Sequence, residues 1–93
     1  MAHTVKLKPR AEKEYAKLAP SARQQVFDAL VELEKSARPA GAVPLKGTAA
    51  KYGFWRYRTG DYRIIYTQPD NAGVLWVAKV GDRKDVYRFI GSL

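Results

Sequence analysis

The apolar positions change period once along the chain, from a helical repeat in the first half to strict alternation in the second. Thr4-Val5-Lys6-Leu7-Lys8 alternates apolar with polar residues and predicts a short half-buried strand over 4–8. Pro9 suits a first helical turn, where its missing N–H costs nothing, and Ala11, Tyr15 and Leu18 follow at helical spacing, so a helix is expected over about 9–18. Ala19-Pro20 breaks it. Ser21 and Gln24 have capping-box spacing, opening a second helix whose Val26, Phe27, Leu30, Val31 and Leu33 carry it to near Ser36. So short a break folds the two helices into an antiparallel hairpin. Ala37 to Pro44 reads as a loop from its Pro and Gly content.

From Tyr52 the alternation predicts three strands, over 52–59, 62–68 and 74–81. Gly60-Asp61 has the residue order of a two-residue type II′ turn, and Asp70-Asn71-Ala72-Gly73 supplies a second turn. The first turn sets a register: Thr59 opposite Tyr62, Arg58 opposite Arg63, Tyr57 opposite Ile64, Arg56 opposite Ile65 and Trp55 opposite Tyr66. Paired residues share a face. Trp55, Tyr57, Tyr62, Ile64 and Tyr66 therefore line one side, and Phe54, Arg56, Arg58, Arg63 and Ile65 the other. If Val74, Trp76, Ala78 and Val80 face the aromatic side, Lys79 and Arg83 join the basic one. The expected fold class is α+β. An N-terminal strand and an antiparallel helix hairpin pack on one face of a mainly antiparallel four-stranded sheet, whose other face stays open and positive. A length of 93 residues leaves room for one domain, 1–93.

Charge narrows the picture. Seventeen Lys and Arg against nine Asp and Glu give a net charge of +8, which favours polyanion partners, nucleic acid first. Residues 43–93 hold nine of the basic residues, no Glu and nine of the aromatics. Arg58 and Arg63 directly opposite one another would destabilise a sheet unless an anion lies between them or both arms splay into solvent. The N-terminus has no apolar core of a secretory signal and no apolar run suffices for a bilayer, so the expected location is the cytoplasm.

The common catalytic patterns are missing. There is no Cys, and His3 is the one histidine, expected to be an exposed terminal residue, so neither a metal site nor a cofactor is expected. The glycines at 41, 47 and 53 are isolated rather than arranged as a phosphate loop. Asp82 and Asp85 read as local charge partners of Lys84 and Arg88, and Glu12 and Glu14 as parts of a solvated helix face. What remains is arginine interleaved with tyrosine. Arginine cannot serve as a base, but it clamps phosphate bidentately and stabilises the charge of a phosphorane-like transition state. Tyrosine stacks on an unpaired base and can move a proton when cations lower its pKa. Such a set suits cleavage of RNA by its own 2′-hydroxyl, and equally suits an RNA binder without catalysis.

The order of a helix hairpin, then Leu45-Lys46-Gly47, then Tyr57-Arg58-Thr59-Gly60-Asp61-Tyr62-Arg63-Ile64-Ile65-Tyr66, then Val80-Gly81-Asp82-Arg83-Lys84-Asp85-Val86-Tyr87, resembles the RelE/ParE toxin superfamily, and its RelE branch more than its ParE branch. The resemblance implies a toxin held inactive by a cognate antitoxin. RelE-type members cut mRNA in the ribosomal A site by 2′-hydroxyl attack, leaving a 2′,3′-cyclic phosphate, whereas ParE-type members inhibit DNA gyrase. Carried onto this chain, it implies catalytic roles for Arg63, Arg83, Tyr87 and Arg56. Arg58, Phe54, Lys46, Lys51 and Lys84 are the expected RNA contacts. Arg56 and Phe54 stand where RelE carries lysines; Phe54 can only stack, so Tyr87 is the first choice for proton transfer, with Lys46 and Lys51 behind it. The expected partners are the antitoxin and the ribosome with its mRNA. A gyrase inhibitor, or an inactive toxin that only binds its antitoxin, is the alternative.

Overall fold

The computed structural model of the protein describes residues 4–69 and 73–93. His3 and the turn expected at Asp70–Ala72 lie outside the described residues. Among the described residues the chain runs β1 (Thr4–Leu7), α1 (Pro9–Ala16), α2 (Pro20–Lys35), β2 (Val43–Pro44), a 3-10 turn (Gly47–Tyr52), β3 (Trp55–Thr59), β4 (Tyr62–Thr67), β5 (Val74–Asp82) and α3 (Arg83–Gly91). The sheet has five strands in the order β1-β5-β4-β3-β2, with β1 parallel to β5 and the other pairs antiparallel.

The expected fifty-second-residue start of β3 is corrected to Trp55, because Tyr52 closes the 3-10 turn and Gly53 follows in the left-handed region at φ 70°. The fifth strand, β2, lies in the segment whose Pro and Gly content predicts a loop. It is two residues long, one of them Pro44, and it forms only because Val43 and Pro44 lie against Arg56 and Trp55. The β3–β4 register is the one counted from the turn, with Gly60 at φ 57°. Arg58 does face Arg63.

On one face, Ala11 of α1 and Val26, Ala29, Leu30 and Leu33 of α2 pack with Ile64, Tyr66, Leu75, Val77 and Val80 of the sheet. Val26, Leu33 and Ile64 are fully buried, each contributing about 1.5–3 kcal/mol relative to exposure. Trp55, Tyr57 and Tyr62 pack around this core as expected. Tyr66 is fully buried and its hydroxyl donates to the Ala37 carbonyl at 2.6 Å, tying β4 to the exit of α2. Phe27, expected on the apolar face of α2, is instead 49% exposed.

Three sequence readings need correction here. The Ser21–Gln24 capping box does not form: Pro20 opens α2 behind Ala19, which makes no side-chain cap, and Gln24 donates to Asp28 instead. In β5 the inward parity switches at Ala78, a bulge skipped by the pairings Ile65↔Lys79 and Tyr66↔Val77. Leu75 and Val77 therefore join Val80 inside, in place of the even-numbered residues expected at that end. Finally, the second face is not open. Val86 and Phe89 of α3 bury Ile65, with Leu45, Phe54, Ala78 and Ile90 around them.

α1 explains Lys79, expected on a free basic face. Lys79 is buried, 6% exposed, and its ammonium pairs with the Glu14 carboxylate of α1. Glu14 additionally accepts the Val80 N–H at 3.1 Å, beyond the end of β1, where β5 would otherwise present an unpaired edge. Glu14 is thus a structural clamp rather than part of a solvated face.

Candidate nucleic-acid cleavage site

Asp82 fixes the site from one side. It ends β5 in an extended conformation and caps α3, its side chain accepting the Asp85 N–H at 2.9 Å. It was expected to pair with a nearby cation; the helix terminus uses it instead. With the first turn fixed, Arg83 and Tyr87 stand one turn apart on the same side of α3. The Arg83 Nε donates to the Tyr87 hydroxyl at 3.1 Å. Gly81, just before the cap, faces Arg63 across the sheet. A Cβ on Gly81 would lie 2.8 Å from the Asp85 Cβ, so glycine is what lets α3 start so close to β5.

The β3–β4 hairpin fixes the other side. Arg63, Arg58, Arg83 and Lys84 line a cleft of about 330 Å³ together with Asp61 and Asp82. Arg58 Nε is satisfied by the Gly60 carbonyl at 3.1 Å. The Nε of Arg63 is buried and has no hydrogen-bond partner in the protein. A buried guanidinium N–H without a partner is a costly arrangement, whereas the guanidiniums that line the cleft are placed to clamp an anion.

Tyr87 is 51% exposed, yet its phenol is pulled below the usual tyrosine range. The Arg83 hydrogen bond is the main cause and the Arg83 charge the next, with Arg63 and Arg56 adding smaller contributions. Three arginines from two strands and a helix therefore act on one hydroxyl. Tyr66 shows the opposite case, its phenol pushed up by burial.

Among the described residues no three His, Cys, Asp or Glu side chains gather as a metal site, and no helix is long and apolar enough to cross a membrane. Residues 5–87 match the family model of the ParE toxin of type II toxin–antitoxin systems. The chain belongs to the RelE/ParE toxin superfamily. It is 35% identical over 89 residues to the mRNA interferase toxin RelE of Escherichia coli K12, a match covering 94% of this chain and 92% of that one. Its structure is similar to that of a RelBE toxin–antitoxin complex of Mycobacterium tuberculosis, with a TM-score of 0.77 and 25% identity over 89% of this chain and 100% of that one. It is also similar to an arginine-substituted E. coli RelE in the free state, with a TM-score of 0.73 and 30% identity over 95% and 93% of the two chains.

Within this RelE-like toxin the nine candidate residues fall into three groups. Arg63, Arg83, Arg58 and Lys84 share the first cleft, and Tyr87 joins them through Arg83. Arg56, opposite Ile65, borders a second cleft of about 460 Å³ with Lys46, Val43, Pro44 and Leu45. Phe54 and Lys51 belong to a third group. Phe54 is half-buried between Tyr52 and Phe89, and Lys51 places its ammonium 5.4 Å from the Tyr52 ring centroid. Sequence reasoning did not single out Gly81, Asp82 or Tyr52 for the site. The spacing of Val86, Phe89 and Ile90 behind Asp82 was the available signal for α3, and α3 is what gives the first two their roles.

Proposed function

We propose that the protein is a ribosome-dependent mRNA endonuclease, the toxin of a type II toxin–antitoxin pair, acting as the single domain 1–93 in the cytoplasm without a metal ion. One observation carries this: the phenol of Tyr87 is held by Arg83 within the field of Arg63 and Arg56, beside a cleft lined by Arg58, Arg63, Arg83 and Lys84. The 35% identity to a protein named as an mRNA interferase supports the same reading.

In this mechanism the RNA supplies its own nucleophile. The 2′-oxygen attacks the adjacent phosphorus, the bond from phosphorus to the 5′-oxygen breaks, and a 2′,3′-cyclic phosphate and a 5′-hydroxyl result. Arg63 and Arg83 hold the non-bridging oxygens as charge builds, with Arg56 adding to the field. Tyr87 handles a proton: its phenolate, favoured by the arginines, takes it from the 2′-hydroxyl, while the departing 5′-oxygen takes a proton from water and leaves as the 5′-hydroxyl. Arg58, Lys46, Lys51 and Lys84 contact flanking phosphates, which positions the strand without reading its sequence. Phe54, expected to contact RNA, is held between Tyr52 and Phe89 and supports the site from within the second core instead. The antitoxin, which a basic surface of this kind attracts through acidic or amphipathic segments, blocks access to this site.

The test is a translation reaction with purified toxin in which breaks are mapped by primer extension. Cuts that require ribosomes support the reading. The matched family model is named for ParE, which favours one second reading, a gyrase inhibitor without nuclease activity. Intact mRNA together with blocked DNA supercoiling would establish that alternative.

A further inference from the structure

Tyr52 stands outside the arginine cleft, and no step of the cleavage reading uses it. Its side chain is 44% exposed, unusual for a ring so firmly placed. The ring stacks on Phe54 with 5.6 Å between centroids and 18° between planes. Phe54 in turn tilts against Phe89 of α3 at 5.9 Å, so the pair is anchored in the second core. Gly53 makes the stack possible. It turns the chain at φ 70° between the 3-10 turn and β3, a conformation L side chains rarely adopt, and so brings residues two apart face to face.

The surroundings of the stack are cationic. Lys51 holds its ammonium over the Tyr52 ring, 5.4 Å from the centroid, where an incoming base would displace it toward a phosphate, and Arg56 stands opposite Ile65, the residue Phe54 packs near. A rigid exposed ring backed by a second ring and flanked by cations matches an unpaired nucleobase joined to its phosphates better than an apolar peptide side chain. We propose that Tyr52 is a stacking platform for an unpaired base of the RNA strand, with Lys51 on a phosphate beside that base and Arg56 continuing the strand toward the arginine cleft. The inference rests on RNA being the ligand of the cleft and adds where a neighbouring base is held.

Short single-stranded RNAs carrying 2-aminopurine at successive positions, titrated with the purified full chain, test it, because stacking quenches the fluorophore. Quenching is expected at one position, retained in Tyr52→Phe and Tyr52→Trp. It is expected to vanish in Tyr52→Ala, with binding about 5- to 150-fold weaker. Tyr52→Leu, which keeps apolar bulk but has no π-face, should behave as Tyr52→Ala does and covers the case in which the alanine variant melts early. Unchanged quenching in both truncated variants, loss of quenching in Tyr52→Phe, or no quenching at any position would overturn the platform. The two readings fail separately: Arg63→Ala should lose cleavage yet keep the quench, whereas a wild-type chain that quenches but never cuts mRNA retains the platform and loses the nuclease.

Discussion

Arg83 donates its Nε–H to the Tyr87 hydroxyl at 3.1 Å, one helical turn away, and this bond is the largest cause of the lowered phenol pKa. The sign of the pH dependence follows from it. Cations favour phenolate, so the base form of Tyr87 is reached at lower pH than in an ordinary tyrosine. Cleavage should rise with pH through that titration, and Arg83→Gln should move the rising limb to higher pH. A difference titration at 295 nm between wild type and Tyr87→Phe isolates this phenol from the other tyrosines. Its midpoint should lie below about 10 and return toward it in Arg83→Gln.

The cap on α3 predicts a separation of charge from geometry. Asp82→Asn keeps a good capping side chain and should leave melting and cleavage close to wild type. Asp82→Ala removes the acceptor of the Asp85 N–H and should cost about 1 kcal/mol, a fall in Tm of about 4–8 °C for a domain of this size. Cleavage should fall with it, because Arg83 and Tyr87 lose their fixed first turn. Calorimetry and the translation assay on both variants check this.

Gly81→Ala should be worse than an ordinary surface change. The new Cβ would meet the Asp85 Cβ at 2.8 Å and push α3 off the sheet, costing about 1–3 kcal/mol. Urea unfolding measures that loss, and a wild-type midpoint would show that α3 is not seated as described.

Glu14→Ala should destabilise by about 3–5 kcal/mol, because it strands the buried Lys79 ammonium and exposes the Val80 N–H. The double variant Glu14→Gln with Lys79→Met removes both charges and should recover much of that loss. Urea unfolding of the single and double variants reads the difference.

The parts of this fold that were legible in the sequence are those set by local chemistry. Gly60 forces a primed turn, and the turn alone fixes five residue pairs, including Arg58 against Arg63. The apolar stripe of α2 likewise names its own core face through Val26, Leu30 and Leu33. What stayed hidden depended on tertiary partners. The Ala78 bulge reverses parity with no change in residue type, and β2 exists only against β3. Lys79 reads as a surface cation until Glu14, 65 positions away, is brought to it. In the site, Arg63 could be placed by counting, but the burial of its unpartnered Nε is a tertiary feature that no register count shows.

Arg63 and its neighbours are proposed to promote attack by the RNA's own 2′-hydroxyl. The most direct measurement is cleavage of a ribosome-bound message, with end-group analysis, for wild-type toxin and Arg63→Ala and for a message with a single 2′-deoxy nucleotide at the cut. A 2′,3′-cyclic phosphate and a 5′-hydroxyl are expected from wild type, and no cut at that site from either the folded variant or the deoxy message. A 3′-hydroxyl with a 5′-phosphate, or undiminished cutting by Arg63→Ala, would contradict it.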